Sequence, residues 1–194
     1  MGVGGRSAID EDELVKQARS GWQGATVELY SRYRGLVIGY VVRMTADREL
    51  ADEVFAATFA TFFDNLRGYR SRGQLAAYLL RIARSRLADE VRTRGRLGRR
   101  FPLADWDGSL GAEPIDPAPD PSDAAAVREL ANRAEQALCR LSEPLREVVV
   151  LRLYNDLDYT TIAEIVGVGQ ATARSRMRYA LQTLRGALAA ASEP

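Results

Sequence analysis

The stretch Ile162–Arg185, "IAEIVGVGQATARSRMRYALQTLR", packs a short apolar helix, a Gly-x-Gly corner and a lysine-free, arginine-bearing helix into a few turns. On a helical wheel Ala173, Met177, Ala180, Leu181 and Leu184 fall at i, i+4, i+7, i+8 and i+11, a single apolar stripe that predicts a face turned to a core. The opposite side carries Ala171, Ser175, Arg178 and Gln182, flanked by Thr172 and Arg174, with no acid among them. Upstream, Ile162, Ala163 and Val166 form the buried face of the first helix, and Gly167 is placed to take the positive φ that ends it. This is the spacing of a helix-turn-helix. In that motif the first turn of the second helix meets base edges in the major groove, while its dipole and its arginines meet phosphates. An ordinary helical hairpin with a solvated basic face has the same periodicity; duplex DNA is the reading that also uses the acid-free side.

A chain of 194 residues holds one ordinary domain or two small ones, and two small cores are expected. With 46% apolar residues and no apolar run near the length of a membrane span, the composition is that of a soluble folded chain without a transmembrane helix. The start, "MGVGGRSAIDEDEL", has no basic segment followed by an apolar stretch, so no secretion signal is read and the cytoplasm is expected. One cysteine, Cys139, and no histidine leave no internal disulfide, no usual zinc ligand and no common general base. No catalytic residue, metal site or cofactor is therefore expected, and "GVGGR" lacks the strand and helix context of a phosphate-binding loop. Cys139 beside Arg140 reads either as a small core residue or as a redox-sensitive thiol.

The net charge of +1 hides blocks: Arg81–Arg100 holds eight arginines against Asp89 and Glu90, and Phe101–Val127 holds six acids and no base. Lysine occurs once, at Lys16; a GC-rich genome accounts for this more plainly than selection for bidentate contacts does. Gly95–Pro121, with closely spaced prolines and glycines and few periodic apolar residues, reads as an acidic linker. Helical periodicity fills the rest: roughly Asp10–Ser20, Gly24–Met44, Arg48–Leu66 and Gln74–Arg94 before it, then Asp123–Leu141, Glu143–Leu153, Thr160–Val166 and Gln170–Ala190. Within Gln74–Arg94, Arg81, Arg84, Ser85, Ala88 and Arg92 lie opposite Leu79, Leu80, Ala83, Leu87 and Val91. Tyr78 borders that arginine face, and the preceding "RGYRSRG" adds Arg67, Tyr69, Arg70 and Arg72, so rings and cations interleave as binding of a single strand requires. Half-buried packing with the hydroxyl in water is the other reading for both tyrosines.

Two basic surfaces in this order, with an acidic linker between them, make the chain resemble a bacterial RNA polymerase sigma factor of the extracytoplasmic-function (ECF, group IV) family from about Asp12 to Leu188. "LYSRYRGLVIGYVVRMTADRELADEVFAATFATFFDNL" and "AYLLRIARSRLADEVR" are similar to the family's promoter-melting domain 2, and "LSEPLREVVVLRLYNDLDYTTIAEIVGVGQATARSRMRYALQTLR" to its domain 4. The resemblance implies an all-α fold of two small helical domains: domain 2 over residues 9–95, a flexible acidic linker over 96–122, and helix-turn-helix domain 4 over 123–190. It implies a non-enzymatic initiation factor that binds core RNA polymerase at clamp and flap, captures the melted minus-10 strand with domain 2 and reads the minus-35 duplex with domain 4. An anti-sigma factor is a further partner of many relatives. A DNA-binding regulator without productive polymerase engagement is the alternative; an interaction module or an enzyme has less in its favour.

Carried over residue by residue, the minus-35 contacts fall on Ala171, Thr172, Arg174, Ser175 and Arg176, and Arg178 joins them from its place on the exposed side. The minus-10 contacts fall on Tyr78, Arg81, Arg84, Ser85 and Arg92. The helix that binds the polymerase clamp matches Glu49–Leu66, with Glu49, Asp52, Glu53, Ala56, Ala57 and Ala60 as contact residues and Phe55, Phe59, Phe62 and Phe63 as packing. This chain has Ala56 and Ala57 where the family has a Gln-Glu pair, and Leu75, Tyr78 and Ser85 where the family has Phe, Trp and Asn, which implies an unusual base preference.

Overall fold

The computed structural model describes residues 10–70, 73–96 and 131–190. Every regular element among them is helical: α1 Glu11–Arg19, α2 Gln23–Thr45, α3 Arg48–Asp64, α4 Leu75–Arg96, α5 over 131–139, α6 Glu143–Val149, α7 Tyr159–Val166 and α8 Gln170–Ala190. The predicted stretches are all found within a few residues; residues 123–130 of the fifth, and most of the predicted linker, lie outside the described residues.

Local chemistry sets the boundaries. α1 opens on Glu11, Asp12 and Glu13 and closes on Lys16 and Arg19, each sign at the end of the helix dipole that favours it. α2 stops where Ala46 turns left-handed at φ 56° and donates its N–H to the Val42 carbonyl at 2.7 Å. Asp47 then caps α3 by accepting the Leu50 N–H at 2.8 Å. After Pro144 in its first turn, α6 runs without a break into a π-helical segment, Val150–Tyr154, which no periodicity in "VVVLRLY" announces.

Helices α1–α4 pack around Leu14, Leu29, Val37, Val41, Leu50, Val54, Phe59, Phe62, Leu75, Leu79 and Leu80, and α5–α8 around Leu138, Val148, Val150, Leu151, Ile162, Ile165, Ala173, Met177 and Ala180. The two bundles touch, and their buried side chains run together in one cluster. At the join, Arg146 is 6% exposed and spends its guanidinium on carbonyls: Met44 at 2.8 Å from the end of α2, and Leu138 at 3.1 Å, Cys139 at 2.5 Å and Leu141 at 3.0 Å from the end of α5. The last carbonyls of a helix have no partner inside it, and Arg146 supplies donors to both ends. Burial pulls the Arg146 pKa below its ordinary value.

Glu147, the next residue, is buried too and accepts from the Tyr40 hydroxyl of α2 and from Arg84 Nε of α4, each at 2.8 Å. Burial, followed by the Glu147 charge, holds the Tyr40 pKa well above its usual value, so the hydroxyl stays a donor. Arg43 of α2 adds a 3.6 Å pair with Glu135 of α5 and lies 3.9 Å from the centre of the Tyr154 ring. The half-buried Cys139 thiol is pushed up by burial, away from the thiolate a redox-sensitive residue needs.

Candidate nucleic-acid interfaces

In the carboxy-terminal bundle Asp158 starts α7 by accepting the N–H groups of Thr160 and Thr161 at 2.8 and 2.9 Å. Those bonds, the Thr161 N–H first, hold its carboxyl below the usual carboxylate range. Gly167, at φ 72°, ends α7 as expected and returns its N–H to the Ala163 carbonyl at 2.9 Å. α8 follows after Gly169, whose carbonyl takes the Ala173 N–H at 3.1 Å, and Gln170 fastens the two helix starts by donating to the Thr160 hydroxyl at 2.8 Å.

The corner fixes the rotation of α8. Ala173, Met177 and Ala180 are buried, Ala171, Thr172, Arg174 and Arg178 are exposed, and Ser175 and Arg176 are half-buried. All six residues assigned to the minus-35 duplex thus lie off the buried stripe. Two arginines bracket the Tyr159 ring, Arg152 and Arg174, each 5.6 Å from its centre, and Arg178 and Arg185 line the groove beside it. Sequence reasoning did not select Tyr159, because the side that a tyrosine at the first position of a helix faces depends on the turn before it. If Arg178 contacts a phosphate, Arg178→Ala is expected to lower the slope of log affinity against log salt on duplex DNA by about one; an unchanged slope in a salt titration takes Arg178 out of the footprint.

On α4 the predicted division into faces holds for Leu79, Leu80, Ala83 and Leu87, which are buried, and for Arg81, Ser85 and Arg92, which are exposed. Val91 departs from it: assigned to the apolar face, it is 37% exposed and borders an open groove with Met44, Leu87 and Arg92. Leu87 is the last α4 residue packed into the core, so a helix-long stripe overstates the core by one turn. Tyr78 is half-buried, its ring 4.8 Å from that of Tyr69 and 6.3 Å from that of Phe62. Packing and an accessible edge therefore coexist: the two rings open onto a cleft with Asn65, Arg70, Gln74 and Arg81. Two of the arginines assigned to the minus-10 strand pair with glutamates of the other bundle, Arg84 with Glu147 and Arg81 with Glu164 at 3.3 Å.

On α3, Glu49, Asp52, Glu53, Ala56 and Ala60 are exposed in one stripe and Ala57 is half-buried beside it. Asp52 pairs with Arg34 and Arg48, both at 3.5 Å, and Glu53 pairs with Arg94. The sequence reading passed over three exposed apolar side chains: Trp22, just before α2, is 51% exposed, and on α2 Val27 is 67% and Tyr30 40% exposed, the last resting on Phe55 and Phe59 of α3. Among the described residues no cluster of ligands could hold a metal ion, and no helix is long and apolar enough to cross a membrane.

Two helical bundles, one ending in a helix-turn-helix and the other carrying an arginine-faced helix, define the class. Residues 29–97 match sigma-70 region 2 and residues 137–186 match sigma-70 region 4, together more than half of the chain. The chain belongs to the sigma-70 family, in its extracytoplasmic-function group, and so to the regulatory rather than the enzymatic proteins of transcription. It is 28% identical over 185 residues to the ECF RNA polymerase sigma factor SigK of Mycobacterium tuberculosis (strain ATCC 25618 / H37Rv), a match covering 94% of this chain and 96% of the relative. SigK of Mycobacterium sp. (strain KMS) is likewise 28% identical, over 92% of this chain and 91% of its own. Of solved structures, CnrH in complex with the cytosolic domain of CnrY shares the fold with a TM-score of 0.65 at 23% identity, covering 94% of this chain and all 100% of that one. The sigma factor RpoE in complex with the anti-sigma factor NepR from Bartonella quintana does so with a TM-score of 0.61 at 20% identity, over 87% and 97%.

Proposed function

We propose that the chain binds core RNA polymerase and directs it to a set of promoters, with the domain of residues 9–95 capturing the melted minus-10 strand and that of residues 123–190 reading the minus-35 duplex. The observation that carries this reading is the pair of arginine faces on separate bundles, α4 with Tyr69 and Tyr78 at its start and α8 behind a helix-turn-helix corner. Rings beside cations suit unstacked bases, whereas a rigid helix with short side chains in its first turn suits the major groove.

Three partners follow: core polymerase at its clamp and flap, promoter DNA as duplex and as melted strand, and an anti-sigma factor of the kind bound to a solved relative. Such a protein works in the cytoplasm. The clamp contact falls on Glu49, Asp52, Glu53, Ala56, Ala57 and Ala60, and the exposed Trp22, Val27 and Tyr30 extend it with the apolar area that the alanines lack. Titration of the chain into labelled core polymerase tests the assignment. Ala56→Trp, at an exposed position where the fold tolerates bulk, is expected to weaken core binding roughly tenfold; an unchanged affinity removes this face of α3 from the contact.

A further inference from the structure

One face of α1 reaches both ends of the connection between α3 and α4. Glu11, Val15 and Arg19 stand at i, i+4 and i+8 of that helix, with Val15 buried between the two charged residues. Arg19 donates from Nε to the Leu66 carbonyl at 3.2 Å and from Nη2 to the Tyr69 carbonyl at 2.5 Å. At the other end of α1, Glu11 Oε1 accepts the N–H of Leu75, the first residue of α4, at 3.2 Å, and its second oxygen accepts the Tyr33 hydroxyl of α2. Tyr69 lies between these two holds and Tyr78 one turn past the second, their rings 4.8 Å apart on the cleft that Arg70 and Arg81 also line. Resting on the minus-10 reading above, we propose that Glu11 and Arg19 are positioning residues for base choice: they brace the cleft of Tyr69 and Tyr78 from α1, outside the strand itself, and so set how sharply it prefers one base over the others.

The three backbone groups held are ones for which a helix supplies no partner: the Leu66 and Tyr69 carbonyls follow the last turn of α3, and the Leu75 N–H opens α4. Burial, followed by the bond to Glu11, raises the Tyr33 pKa above its ordinary value, so the hydroxyl stays a donor and keeps the Glu11 carboxylate turned to α4. Stacking on a ring tolerates any base, because every base has a π-face. Choice among bases needs the ring and the polar side chains around it, here Asn65 and Gln74, held in one arrangement. When that arrangement is present for only a fraction of the time, affinity for the preferred base falls by that fraction. Contacts from arginines to strand phosphates carry no sequence information and persist without it.

The test starts with the full wild-type chain on a random-sequence single-stranded DNA pool, whose bound fraction is sequenced to find the most enriched strand and its most selective position. Fluorescence anisotropy on that strand, and on the same strand with the selected base replaced, gives the contrast in affinity. Arg19→Ala and Glu11→Ala are each expected to lower affinity for the enriched strand about two- to tenfold, the worth of one hydrogen bond, and to leave affinity for the replaced strand unchanged. Arg19 is exposed, and its truncation leaves the buried Leu14, Val15 and Ala18 in place, so folding is not endangered. Arg19→Lys keeps a donor on the same stem and is expected to fall between alanine and wild type. Lys16→Ala, an exposed cation on the same helix, serves as the charge-matched control and is expected to keep the wild-type contrast. If either alanine variant of the brace keeps that contrast, or lowers affinity for both strands alike as a merely structural role would, the brace is overturned and the minus-10 reading stands. If the wild-type chain itself enriches no base, the minus-10 reading falls and the brace with it.

Discussion

Replacing Arg146 by alanine is expected to lower the unfolding free energy by about 1–3 kcal/mol for each carbonyl left buried without a donor, read from urea denaturation followed by circular dichroism. Alanine removes the donors to Met44, Leu138, Cys139 and Leu141 at once and leaves carbonyls at two helix ends without a partner inside the fold. Three of those four bonds lie within domain 4, so the loss should appear there first, as melting of α5 to α8 ahead of α1 to α4. Arg146→Lys keeps the charge but has a single point of donation in place of a planar fork, and an intermediate loss is expected. A loss under about 1 kcal/mol for alanine would mean that water takes over these carbonyls and that the join is looser than it looks.

The second large effect concerns the cleft on domain 2. Tyr78→Ala removes a ring that sits 4.8 Å from Tyr69 and opens onto the groove beside Arg81. Base stacking on an aromatic side chain contributes about 1–3 kcal/mol, so affinity for a single strand is expected to fall about five- to 150-fold. Tyr78→Phe keeps the ring and should retain most of the binding, which separates stacking from the hydroxyl. Because the ring also packs on Phe62, thermal melting of each variant shows whether lost binding follows lost folding. Tyr78→Ala with wild-type affinity and wild-type stability would move the strand away from this cleft.

How much of this was legible in the sequence depended on whether one residue's neighbours decide its role. α8 could be read almost completely, because Ala173, Met177 and Ala180 are buried by periodicity alone and Gly167 marks the corner. α4 was legible up to Leu87 and not beyond, since a periodic pattern does not say where the partner helices end. The join between bundles was not legible. In "LREVVV" a charged pair before an apolar run looks like a solvated helix start, and nothing local shows that Glu147 meets Tyr40, 107 residues earlier, or Arg84, 63 residues earlier. For the same reason nothing in the sequence announces that Arg84, assigned to the minus-10 strand, pairs with Glu147. Trp22, Val27 and Tyr30 escaped notice because exposed apolar residues on or just before a mostly apolar helix carry no pattern of their own.

The departure at Ala56 and Ala57 bears on the central claim, because it removes polar groups from the face assigned to the polymerase while leaving that face exposed and smooth. The exposed Ala56 and Ala60 leave room on α3 for the close approach that the proposed contact requires. The most direct measurement is permanganate probing of thymines on genomic DNA fragments retained by core RNA polymerase and this chain together. Reactive thymines near minus 10 that require both the chain and core polymerase are the predicted result. Duplex binding by the chain with no core-dependent reactivity would contradict the account and leave a DNA-binding regulator that does not open promoters.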